Sequence, residues 1–126
     1  MKIKVTARGD PDAIPVVRIF DYDDDIFVAS AEAALRVLAG GRRINIDQAL
    51  LLLSARVVGS MKDGQGQEET CRNVSTILQA EQVMIGVPEM MRSLAFDVWM
   101  DGMISIVVNK PIPAQDSFTG DLVDVP

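Results

Sequence analysis

The chain has no histidine and a single cysteine, Cys71. Without histidine there is no Ser-His-Asp or Cys-His catalytic set, no imidazole ligand for zinc or nickel, and no histidine proton shuttle. One cysteine cannot close an intrachain disulfide, which suits a reducing cytoplasm. Basic residues are also scarce, with 12 Lys+Arg against 18 Asp+Glu and a formal charge of −6. Nucleic acids and anionic membranes are bound by basic patches that displace counterions. The densest basic cluster here is Arg42-Arg43, so neither partner is expected. The longest apolar run, Ala49 to Leu53, falls far short of the ~18 residues of a membrane span. Met1-Lys2-Ile3-Lys4-Val5-Thr6-Ala7-Arg8 puts charge where the apolar core of a signal peptide would sit. A cytoplasmic chain, poor in catalytic side chains, is the expectation.

What is present fits one domain. The 126 residues lie within the roughly 100–200 usual per domain, and such a chain buries about two-thirds of its unfolded surface without help from metals or disulfides. Residues 1–25 form a strand-like extension. Lys2 to Ala7 alternates polar and apolar positions, Gly9-Asp10-Pro11-Asp12 is turn chemistry, and Val16 to Phe20 is a second β-branched run. The two runs are compatible with a hairpin. Asp21-Tyr22-Asp23-Asp24-Asp25 follows. An EF-hand loop needs glycine at its sixth position, where this one has Ile26, so an acidic turn that caps the next helix is the better reading.

From Ile26 the period becomes helical. Phe27, Ala31, Ala34, Leu35 and Leu38 share a face, and Gly40-Gly41 is a stop. A second helix runs from Ile46 to Lys62, with Asn45 or Asp47 as its cap. Ile46, Leu50, Leu53 and Val57 make one apolar face; Leu51, Ala55 and Val58 make another. Such a helix is either central to a core or covered by another chain. Glu68 to Leu78 reads as a third helix, and Glu81 to Ile85 as a short helical turn ended by Gly86. Pro88 can open a further turn. Asp101-Gly102 between two β-type runs is a strong hairpin signal over Leu94–Asn109. Residues 113–126 read as an acidic tail. The fold class is therefore α+β: a small bundle of helices followed by a C-terminal antiparallel hairpin, with an extra strand-like N-terminal segment.

No constellation of these residues carries chemistry. Gly40-Gly41 and Gly64-Gln65-Gly66 lack a phosphate-binding pattern around them. Cys71, beside Arg72, reads as a small apolar filler rather than an activated thiol. Glu81 and Glu89 flank the Gly86-Val87-Pro88 turn, and helix capping explains them as well as an acid/base couple does.

Two stretches carry a family resemblance. Leu38-Ala39-Gly40-Gly41-Arg42-Arg43-Ile44-Asn45-Ile46-Asp47-Gln48-Ala49-Leu50-Leu51-Leu52-Leu53-Ser54 resembles the urease γ-subunit pattern L-A-x-G-x-x-L-N-x-x-E-A-x-x-L-I-S. Ile77-Leu78-Gln79-Ala80-Glu81-Gln82-Val83-Met84-Ile85-Gly86-Val87-Pro88-Glu89-Met90-Met91 is similar to the family's L-T-x-E-Q-V-M-x-G-V-P-E-M-I. The resemblance extends through the hairpin exit Val108-Asn109-Lys110-Pro111-Ile112, where the family has V-H-N-P-I. It covers residues 30–112, within a γ-like domain of 26–112.

The resemblance implies a structural subunit that assembles with urease α and β chains and other γ chains in a threefold complex. Nickel, its ligands and the hydrolysis of urea to ammonia and carbamate then belong to the α chain, and this chain holds no cofactor, metal or catalytic group. The expected subunit contacts are Leu50, Leu51, Leu53 and Val57 on the 46–62 helix, and Gln82, Met84, Val87, Pro88 and Met90 on the 81–92 segment. The alternative is a stand-alone γ-like binding or self-assembling module recruited to another partner. The sequence departs from the family in three places. Residues 1–25 replace the family's long first helix and its L-T-x-x-E-x-x-x-L-L start, Asn109-Lys110 replaces His-Asn, and residues 114–126 extend past the usual end.

Overall fold

The computed structural model describes residues 1–112; the expected acidic tail lies outside them. β1 (Lys2–Arg8) and β2 (Val16–Asp21) form an antiparallel hairpin, and β3 (Ser93–Trp99) and β4 (Met103–Asn109) form another. The two hairpins are not separate. β1 also pairs antiparallel with β3, from Lys2 opposite Trp99 to Arg8 opposite Ser93, giving one four-stranded sheet in the order β2-β1-β3-β4. Residues 1–25 thus supply a central strand of the sheet that ends the 26–112 region.

Strand alternation decides which side is inside. Ile3, Val5 and Ala7 of β1 and Leu94, Phe96 and Val98 of β3 face the core, joined by Ile106 and Val108 of β4. Met100 packs against that core from just past the strand end, partly buried. On the opposite face Val17, Ile19, Trp99, Met103 and Val107 are exposed, as an antiparallel sheet with one wet side allows. The β3–β4 turn bears out the Asp-Gly signal: Asp101 has φ 52° and Gly102 φ 117°, and residues with φ > 0 are what such turns require.

The helices cover the core face. Asp24 caps α1 (Asp25–Ala39), its side chain accepting from the Ile26 amide at 2.9 Å. The acidic turn is therefore a cap, as expected. Asn45, not Asp47, caps α2 (Ile46–Lys62): Asn45 Oδ1 accepts from the Gln48 amide, and Gln48 Oε1 accepts from the Asn45 amide. This reciprocal pair satisfies two otherwise orphaned donors and frees Asp47 to take Arg18 Nε at 2.6 Å. α2 is central to this chain's own core. Ala49, Leu50, Leu53, Val57 and Val58 have no exposed surface, which settles which of its two possible roles the all-apolar helix has.

Two helical expectations are corrected. α3 spans Gln67–Val74 rather than reaching Leu78. Ser75 Oγ donates to the Cys71 carbonyl at 3.1 Å and Thr76 Oγ1 to the Asn73 carbonyl at 2.8 Å, and such local side-chain bonds compete with helix continuation. Glu81–Ile85 is not a helical turn. A single 3₁₀ turn covers Ala80–Gln82, and Val83 is extended, bridged in parallel to Ile44. The Ile44 amide donates to the Gln82 carbonyl at 3.0 Å and the Met84 amide to the Ile44 carbonyl at 2.9 Å. Burying two β-branched side chains side by side favours the extended form. The expected turn at Pro88 is present as α4 (Val87–Met90).

The N-terminal hairpin is held at several further points. Arg92 Nη1 lies 3.0 Å from Asp10 Oδ1. At Gly9 a Cβ would stand 2.4 Å from the Glu89 carbonyl oxygen, so only glycine permits this approach of the β1–β2 loop to α4. Phe20 meets Phe27 of α1 edge-on and Tyr22 meets it at a tilt, with centroids 5.7 and 5.6 Å away, and Lys62 Nζ sits 4.4 Å from the Tyr22 ring centre.

The amino terminus of Met1 donates to Asp23. That bond lowers the Asp23 carboxyl below its ordinary 3.8 and raises the amine above its ordinary 8.0. A depressed carboxyl stabilises above its unfolded pKa and loses this as pH falls through the folded value. A raised amine stabilises below its unfolded pKa and loses this as pH rises through the folded value. The pair therefore contributes fully between pH 3.8 and 8.0 and fades on both sides. Urea midpoints measured against pH should show Asp23→Asn below the parent chain inside that window and converging with it at both ends. Parallel curves throughout would refute the pairing.

Candidate subunit-interface surface

Hydrogen bonds tie the loop from Gln79 to Met91 at several points. The Gln79 amide donates to Gln82 Oε1 at 2.8 Å, and the Gln82 amide donates to the Gln79 carbonyl at 3.0 Å. The Ile44–Val83 bridge then ties the loop to the segment before α2. Gly86, at φ +94°, reverses the chain into α4, a conformation that L side chains adopt only with strain. Pro88 in the first turn of α4 forgoes a donor that would be unpaired there anyway.

This backbone sorts the apolar residues into two sets. Val83, Val87 and Met91 are buried and anchor the loop to the core. Met84, Ile85 and Met90 are 47%, 94% and 42% exposed. Beside them, Arg43, Glu81, Pro88 and Glu89 help enclose a hollow of about 270 Å³, so Glu81 and Glu89 line one depression, as their spacing about the turn allowed. Apolar side chains presented on a fixed backbone suit recognition, because little entropy is lost when they are covered.

The residues singled out from sequence divide accordingly. Leu50, Leu53 and Val57 are sealed inside this chain, and Leu51 is 7% exposed; none of the first three presents surface to another molecule. Val87 is likewise buried. Gln82 and Pro88 are half-buried, and Met84 and Met90 stand outside. Ile85 was missed. Its signal was its place before a turn glycine, which puts it at the tip of the loop.

Other candidate chemistry is sparse among the described residues. No group of three or more His, Cys, Asp or Glu there could hold a metal ion. Cys71 is partly buried, its Sγ 3.5 Å from the Val107 carbonyl oxygen, and burial raises its thiol pKa. A raised pKa keeps it protonated and unreactive. No described helix is long and apolar enough to cross a membrane.

Fold and surface together define a small α+β domain that leaves Met84, Ile85 and Met90 of the 79–91 loop uncovered. A family model described as urease, gamma subunit, matches residues 21–112. A urease subunit gamma of Prochlorococcus marinus (strain MIT 9303) is 35% identical over 93 residues, covering 73% of this chain and 93% of that protein. The chain belongs to the urease gamma-subunit family. β1 and nearly all of β2 precede the matched residues.

Proposed function

We propose that this chain is a structural subunit of a urease-type assembly, binding a catalytic chain through the 79–91 loop. The observation that carries this reading is the sorting of that loop: Val83, Val87 and Met91 hold it to the core while Met84, Ile85 and Met90 are presented outward. Ile85, at the tip of that loop, is 94% exposed. The catalytic partner would be the α chain that the family resemblance implies, holding the nickel and hydrolysing urea, with β and further γ chains completing the complex. This chain's contribution would be to position that partner and to exclude water from the contact. Stable interfaces of this kind bury about 2,000 Å² or more, so the loop would be the centre of a larger contact.

Ile85→Asp tests the proposal. Co-expressed with urease α and β chains, the variant should keep the parent's circular dichroism and urea midpoint, since Ile85 contributes almost nothing to the core. It should fail to enter the complex in native mass spectrometry, and urea hydrolysis should fall at least tenfold, about 1.4 kcal/mol or more of lost coupling. A complex of unchanged composition and activity would overturn the assignment of this loop.

A further inference from the structure

β2 is an edge strand of the sheet, and all but its last residue precede the family match, which starts at residue 21. Apart from Arg18, its run Val16-Val17-Arg18-Ile19-Phe20 is β-branched and aromatic, and Val17 and Ile19 are exposed. A strand of this kind at an edge is a template for pairing with another chain. Strand register shows which groups it would offer. In an antiparallel pair alternate residues bond across the pair, and those between turn their N–H and C=O outward. The Tyr22 amide donates to the Met1 carbonyl at 2.9 Å. Continued along β2, that register bonds Phe20 to Ile3, Arg18 to Val5 and Val16 to Ala7. Val17, Ile19 and Asp21 therefore face away from β1.

That outward row is blunted along most of its length. Pro15, two residues before Val17, has no N–H to give. The Asp21 carbonyl accepts from the Asp24 amide at 3.1 Å, and the Val17 carbonyl accepts from Arg18 Nη1 at 2.8 Å. Arg18 lies on the same side of the sheet as its partner Val5, which is buried, so its charge points inward. There Asp47 Oδ1, at the start of α2, holds its Nε at 2.6 Å. Both side chains are exposed, and exposed ion pairs add little stability. What this one fixes is position, since it anchors the guanidinium beside a carbonyl that an incoming strand would need. We propose that Arg18 guards this edge and keeps β2 from pairing antiparallel with β2 of a second copy of the chain. Such a seam, with its twofold axis at Ile19, would strip the guanidinium from Val17 and carry both copies of Arg18 into one junction, where like charges oppose each other.

Sedimentation of the full chain tests this. Arg18→Val should self-associate about tenfold or more tightly than the parent while keeping its circular dichroism. Amide exchange should slow at Val17 and Ile19 and stay unchanged at Met103 and Ser105 of β4, the other edge strand. Arg18→Thr, a polar β-former, serves the same purpose if the valine variant folds poorly. Arg18→Lys keeps a cation on the edge and should sediment as the parent does. Asp47→Ala breaks the ion pair but leaves the cation, and should also sediment as the parent does. A folded Arg18→Val or Arg18→Thr chain that associates no more than the parent would overturn the proposal. So would slowed exchange at β4 in place of β2, or equal association by Arg18→Lys or Asp47→Ala.

Discussion

Leu53→Asp should abolish cooperative folding of the isolated chain, not merely its assembly. Leu53 has no exposed surface and sits among Leu50, Val57, Ile3 and Phe96 in one continuous core. Truncating such a leucine to alanine costs about 2–5 kcal/mol. A carboxylate in the same place adds several more, for burial of a charge without a partner. The sum is comparable with the 5–15 kcal/mol total stability of a typical domain. Urea denaturation followed by circular dichroism should show no folded baseline for Leu53→Asp, a lowered midpoint for Leu53→Ala, and a loss under about 1.5 kcal/mol for the volume-conserving Leu53→Met. A folded, cooperatively melting Leu53→Asp chain would show that this side chain lies outside the core.

Deleting residues 1–20 should be equally damaging, although the family match begins only at residue 21. The deletion removes β1, and with it the hydrogen-bonded partner of β3 along its whole length. It also removes Ile3 and Val5, both fully buried, each worth about 1.5–3 kcal/mol of burial. What remains has a freshly exposed strand edge beside an uncovered core, a combination that favours aggregation. The truncated chain should be insoluble or unfolded by circular dichroism. A soluble truncated chain melting like the parent would make the N-terminal hairpin a mere appendage.

These two expectations mark where sequence reasoning reached and where it stopped. The Asp101-Gly102 hairpin, the Asp24 and Asn45 caps and the apolar stripes of α1 and α2 depend on neighbours a few residues apart, and local chemistry specifies them. The end of α3 and the Ile44–Val83 bridge depend on competition. Ser75 and Thr76 outbid one more helical turn, and a residue far along the chain draws Val83 into an extended form. A window of periodicity carries no information about either contest. Leu50, Leu53 and Val57, expected as subunit contacts, are buried within this chain; in sequence they look identical whether a partner chain or the chain's own sheet covers them.

The sequence by itself determined that this is an α+β chain without histidine chemistry, and its motifs placed it in the urease gamma-subunit family. Only the tertiary structure decided that β1 of the N-terminal hairpin lies at the heart of the sheet. The pairing of β1 with β3 joins residues far apart in the chain, from Lys2 with Trp99 to Arg8 with Ser93, and no local pattern encodes which distant edge a strand will choose. The same pairing sealed α2 inside the core and left Met84, Ile85 and Met90 as the apolar side chains of the 79–91 loop still open to a partner. A chain whose missing histidine first marked what it could not do is thus read through the surface its own fold leaves uncovered.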